Sequence, residues 1–92
     1  MNMYLISYDL KNPGRDYTSL YERIKGIGDW QHPMESVWLV ATDKFDEDAI
    51  YELLKPVMDK NDLLLILQVY PEKRQGRLAK SFWSWMQKYI GA

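Results

Sequence analysis

The stretch Met3-Tyr4-Leu5-Ile6-Ser7-Tyr8-Asp9-Leu10 constrains the fold more than any other part of the chain. Alternate residues of a strand face opposite sides, so Met3, Leu5, Ser7 and Asp9 share one face and Tyr4, Ile6, Tyr8 and Leu10 the other. Both faces are mainly apolar, and a strand of that kind needs cover on both sides. It ends on a carboxylate, Asp9, just before the turn sequence Asn12-Pro13-Gly14. Asp9 is the one residue whose position at a strand end looks suited to chemistry.

The rest of the chain supplies material to cover that strand. Asp16 is an expected helix cap, and Tyr17, Leu20, Tyr21, Ile24 and Ile27 follow at helical spacing, with Gly26 and Gly28 as a stop. The first helix is expected from about Tyr17 to Ile27. Ser36–Thr42 reads as a strong strand. Trp30–Glu35 before it reads as extended, either a short irregular strand or a lead-in, because Pro33 cannot sit inside a fully paired central strand. Asp46 caps a second helix, with Phe45 stapled to Ile50, and Pro56 is expected to kink or end it. Leu63–Tyr70 is another strand with apolar residues on both faces. Leu78, Phe82, Trp85, Met86 and Tyr89 then form the stripe of a third, amphipathic helix.

The order strand, helix, extended segment with a strand, helix, strand predicts an α+β, ferredoxin-like sheet with two helices on one face, followed by a C-terminal amphipathic helix. Residues 1–92 are expected to form a single domain. Two helices leave the second sheet face bare, so either the C-terminal helix or a second copy of the chain must cover it. A homodimer through the sheet is the preferred solution at this point.

The chain has no cysteine, which excludes disulfides and thiolate metal sites. No apolar run is long enough to span a membrane and no signal peptide is visible, so a cytoplasmic protein without membrane contact is expected. The net charge of −1 hides an asymmetry. Residues 1–72 carry all thirteen acids and seven bases, while residues 73–92 carry five bases and no acid. Arg74, Arg77 and Lys80, together with Lys73 and followed by Phe82, Trp83 and Trp85, have the makings of a phosphate-contacting patch with stacking residues nearby. The same segment also reads as a solvated connector ahead of a docked helix, with Trp83 at the edge of the buried stripe.

His32 stands alone in an irregular segment, and no nucleophile or orienting acid lies at a recognisable spacing from it. Asp43, Asp46, Glu47 and Asp48 are explained by the chemistry of a helix start, without a metal.

Tyr8-Asp9-Leu10 closing a hydrophobic strand, with Ser36-Val37-Trp38, resembles the small CRISPR-associated proteins of the Cas-two family. Adding Asn12-Pro13-Gly14, Glu35 to Val40 and Asn61-Asp62-Leu63-Leu64, the chain from Met3 to about Tyr89 resembles more closely the Cas-two-like small proteins of the SinR family. The resemblance implies a ferredoxin-like homodimer in which strand-end aspartates of two subunits face each other and bind Mg²⁺ or Mn²⁺ for phosphodiester cleavage of RNA or DNA. Asp9 matches that aspartate and Ser36 a family serine, with Tyr8 as nearby support. After Tyr70 the chain departs from the pattern, since a basic connector and a Trp-rich helix replace the family's short final strand. The alternative expectation is a non-catalytic dimeric interaction module, phage- or plasmid-encoded, that binds a protein or a nucleic acid. In that case Asp9 only braces the turn after its strand, and Arg74, Arg77, Lys80 and Trp83 make the contact.

Overall fold

The computed structural model describes residues 1–90. Four strands, β1 (Asn2–Asp9), β2 (Asp29–Met34), β3 (Val37–Thr42) and β4 (Leu63–Val69), alternate with helices α1 (Thr18–Lys25), α2 (Glu47–Leu54) and α3 (Lys80–Gln87). The sheet runs β2-β3-β1-β4 with every neighbouring pair antiparallel. This is the expected ferredoxin-like α+β architecture, with an added C-terminal helix.

β1 is central, which explains its two apolar faces. Tyr4, Ile6 and Tyr8 join Trp38 and Val40 of β3 beneath Leu20 and Ile24 of α1 and Ile50 and Leu54 of α2. On the reverse face Met3 joins Leu39 and Ala41 beneath Phe82, Trp85 and Met86 of α3. The helix therefore covers the β1–β3 part of the second face, a task for which the sequence pattern favoured a second copy of the chain. Its cluster reaches β4 only at Val69. Leu63, Leu65 and Leu67 are 58%, 51% and 48% exposed, whereas Leu64 and Ile66 on the opposite face pack against the first core.

The segment Trp30–Glu35 resolves into an edge strand. β2 starts at Asp29, and its pairing with β3 slips between Gln31 and Met34, where Pro33 sits. An edge position and a bulge are the two settings that tolerate a strand proline, and this one uses both. Gly28 serves that strand and not helix termination. A Cβ there would lie 2.3 Å from the Ala41 carbonyl oxygen, so only glycine lets the chain pass β3 this closely. Helix α1 stops two residues earlier than expected, at Gly26, which keeps ordinary right-handed backbone and donates to Glu22 and Arg23 carbonyls.

Asp46 caps α2 as expected, its carboxylate accepting the Ala49 N–H at 2.8 Å. Pro56 ends the helix without kinking it: the α-helical turns stop at Leu54, and Lys55–Val57 form one tighter 3₁₀ turn. Asp16 does not cap α1 from the adjoining position. Its carboxylate closes a local turn on the N–H and hydroxyl of Thr18, at 2.9 and 2.6 Å.

Candidate functional site

Asp9 ends β1 opposite Leu63 of β4, on the sheet face shared with Leu5 and Ser7. Its side chain is 61% exposed and pairs with Lys11, Nζ to Oδ2 at 2.7 Å. Lys11 is itself positioned. Asp62 accepts the Lys11 backbone N–H at 2.7 Å, the Tyr17 hydroxyl at 2.9 Å and the Asp59 N–H at 2.8 Å, tying the loop after β1 to the turn before β4. Burial pushes the Asp62 carboxyl upward, but the hydrogen bonds from Lys11, Asp59 and Tyr17 and the nearby Arg15 charge outweigh it and hold it below its ordinary value. The pattern at Asp59–Asp62 reads only as a turn, and this clamp has no signal in sequence alone.

Tyr8 points the other way, into the first core. Its hydroxyl accepts a hydrogen bond from Trp38 Nε1 at 2.9 Å and donates to the Glu35 carbonyl at 3.3 Å. Burial pushes its pKa up, outweighing the Trp38 bond that opposes the shift, and Tyr21 and Glu35 add to the rise. It remains a neutral phenol at physiological pH. The Tyr8 N–H also donates to the Ser36 carbonyl at 3.2 Å. These bonds draw the β2–β3 turn against the end of β1.

The result is a depression of about 260 Å³ lined by Tyr8, Asp9, Leu10, Tyr21, Glu35 and Ser36. Asp9, Tyr8 and Ser36 thus line one depression. Glu35 is the addition. It is a second acid beside Asp9, and its neighbour Ser36 is the only hint of it in the sequence. Asp9 also borders a shallower depression of about 210 Å³ on the open face, with Ser7, Leu63 and Leu65 among its walls.

Among the described residues, no three His, Cys, Asp or Glu side chains gather closely enough to hold a metal ion. Two carboxylates on one rim, one of them paired with a lysine, do not complete the oxygen shell of Mg²⁺ or Mn²⁺. One chain alone therefore does not fit the implied metal.

His32 is occupied elsewhere. Its ring stacks on Trp38, centroids 3.7 Å apart and planes 11° apart, and Nε2 hydrogen-bonds the Glu35 carbonyl at 2.9 Å. The histidine braces the β2–β3 turn.

The basic connector between β4 and α3 forms a separate place. Arg74 donates to the Pro71 carbonyl at 3.2 Å and to Gln87 Oε1 at 3.0 Å, which holds the connector onto α3. Arg74, Gln75, Gly76 and the partly buried Trp83 line an open slot of about 390 Å³. Arg77 and Lys80 lie beside it in the chain and point into solvent without lining the slot. No described helix is long and apolar enough to cross a membrane. Compared with protein-family models, with curated proteins and with solved structures, the chain matches none.

Proposed function

We propose that the chain acts as a Cas-two-like homodimer whose two Asp9 carboxylates meet near a two-fold axis and support divalent-metal-dependent cleavage of RNA or DNA. The observation that carries this reading is the open leucine stripe. Leu63, Leu65 and Leu67 are exposed on the face that also presents Asp9, where α3 gives no cover. A symmetric contact through the stripe would bury the leucines and bring the carboxylates of two chains toward one another.

Each leucine is about half exposed, so completing its burial is worth about 1 kcal/mol, or about 6 kcal/mol across both copies. That gross gain alone corresponds to a Kd of about 40 μM, and the cost of association loosens it further, so a weak dimer with a Kd of about a millimolar or looser is expected.

A Mg²⁺ or Mn²⁺ ion, when bound, would supply Lewis-acid stabilisation of the negative charge that develops on the phosphate. The chain's own part is to present Asp9, and Glu35 at the same rim, as oxygen donors. Lys11, paired with Asp9, holds that carboxylate in place at the strand end. Tyr8, anchored by Trp38 and Glu35, keeps the β1 end and the turn in register.

The test compares the wild type, Asp9→Asn and the double variant Leu65→Lys/Leu67→Lys on labelled single- and double-stranded RNA and DNA, with Mg²⁺, Mn²⁺ or EDTA. Cleavage should require metal, vanish in Asp9→Asn while its dimer persists in light scattering, and vanish in the leucine variant together with the dimer. Equal cleavage by Asp9→Asn, or a strict monomer at high concentration, would sink the proposal. Wild-type inactivity would leave Asp9 as the brace of its turn and favour the non-catalytic interaction module.

A further inference from the structure

The structure points to a second nucleic-acid site, independent of Asp9. We infer that the connector and the start of α3 bind a single strand of RNA or DNA. Trp83 would stack an unpaired base, and Lys73, Arg77 and Lys80 would contact the flanking phosphates.

Three observations converge on it. The first is charge that nothing in the fold uses. Among the described residues the ion pairs join the N-terminus to Asp43, Lys11 to Asp9, Lys25 to Glu22, Lys55 to Glu52 and Lys88 to Asp29. Lys73, Arg77 and Lys80 are exposed and take part in none of them. Glu72 is the one acid beside this run in the sequence. Cations that serve neither packing nor pairing remain available to a polyanion.

The second is the setting of Trp83. Phe82, Trp85 and Met86 are buried against the sheet, whereas Trp83 is only partly buried at the edge of that cluster. It packs edge-on against Phe82, centroids 5.4 Å apart at 74°, which fixes the indole. Gly76 passes close enough that a Cβ there would sit 3.6 Å from the benzo edge of the indole. The connector backbone thus lies within ordinary contact range of the indole. The slot of about 390 Å³ it shares with Arg74 and Gln75 falls within the size range of clefts that hold small planar ligands.

The third is that Arg74 preorganises the site. Its bonds to Pro71 and Gln87 hold the connector in place, so the cations beside it are presented from an anchored backbone. Arg74 is thus a positioning residue, and the phosphate contacts fall to Lys73, Arg77 and Lys80. A single strand is the partner that uses both features, because a duplex keeps its bases stacked and withholds them from Trp83. An acidic protein would engage the cations and leave the aromatic slot idle.

The test is fluorescence anisotropy with a labelled oligothymidylate and a labelled oligouridylate, in EDTA so that cleavage plays no part. Three phosphate contacts give a slope of log K against log salt of about −2, so a fourfold rise in salt should weaken binding about 20-fold. Arg77→Gln/Lys80→Gln, two exposed positions that cannot unfold the chain, should flatten that slope by about 1.4. Trp83→Ala should weaken binding at least about fivefold, and Trp83→Phe should recover part of the loss. Ser19→Ala, an exposed position on α1 across the sheet from α3, should bind as the wild type does, and because every arm runs in EDTA, failure here and failure of the nuclease proposal are separable. Undetectable binding at low salt, an unchanged slope in the Gln variant, or a polyglutamate of equal charge binding as tightly as the oligonucleotides would each overturn the inference.

Discussion

Helix α3 is held by apolar packing and by one polar latch, and the latch can be tested on its own. The Tyr89 hydroxyl donates to Asp29 Oδ2 at the start of β2, and Lys88 Nζ reaches the same oxygen at 3.2 Å. Tyr89→Phe removes the hydroxyl and keeps the ring against Trp85. A hydrogen bond to a charged group is worth about 1.5–3 kcal/mol when well buried. The Asp29 side chain is 40% exposed, so solvent screening brings the expected loss down to about 1 kcal/mol. For a chain of this size that lowers Tm by about 4–8 °C. The pH dependence follows from both partners. Burial pushes Asp29 upward, but the hydrogen bonds from Tyr89 and Lys88 and the Lys88 charge prevail and hold it below its ordinary 3.8. A carboxyl depressed on folding contributes above its unfolded value and loses that contribution as pH falls through the folded one. Tyr89, desolvated and bonded to the Asp29 carboxylate, is pushed up to about 12 from 10.0. A phenol raised on folding contributes fully below its unfolded value and loses that contribution as pH rises through the folded one. Thermal unfolding followed by circular dichroism should therefore show a wild-type advantage over Tyr89→Phe that is flat from about pH 4 to about pH 10 and shrinks on both sides. A Tm difference below about 1 °C at neutral pH, or one of equal size at pH 3 and pH 7, would refute the latch.

Two further outcomes rest on single contacts. Gly28→Ala places a methyl 2.3 Å from the Ala41 carbonyl oxygen and should cost about 1–3 kcal/mol in urea unfolding as β2 is pushed from β3. A stability within about 0.3 kcal/mol of the wild type would mean that the strand pair has slack the close approach denies. Asp62→Ala removes the acceptor for Lys11, Tyr17 and Asp59 and should cost about 1–3 kcal/mol at neutral pH. Because the Asp62 carboxyl is depressed on folding, the deficit should narrow as pH falls below about 4. A deficit that is constant with pH would assign the loss to the side chain's packing.

Much of this was legible because periodicity reports burial. The two apolar faces of β1, the stripes of α1 and α2 and the Asp46 cap all follow from local spacing, and the structure has each of them. What spacing cannot report is which of two covers is used. A strand such as β4 shows the same alternation whether its leucines meet a helix or water, and here Leu64 and Ile66 are covered while Leu63, Leu65 and Leu67 are not. Glu35 escaped for a related reason. It sits 26 residues from Asp9 in sequence and joins the same rim only because the Tyr8 N–H bonds Ser36 across the β1–β3 pair. Gly28 has the composition of a helix stop, and its real constraint is a carbonyl on a strand that comes later in the chain.

The division of the second sheet face links these observations. α3 buries the Met3, Leu39 and Ala41 end with three large side chains, and that closes the part of the face where a swapped strand or a second chain could otherwise spread. The remaining opening is narrow, runs along β4, and ends at Asp9. A contact made there has few leucines to bury and is necessarily weak, so it can respond to conditions that change its small free energy. Nucleic acid held by the connector of two chains would raise their local concentration and favour that contact. On this view the helix that limits the dimer also starts the surface that could promote it. Light scattering in EDTA with an oligonucleotide long enough to span two chains should raise the mass per protein particle, and Arg77→Gln/Lys80→Gln should abolish the rise while leaving the protein-only equilibrium unchanged.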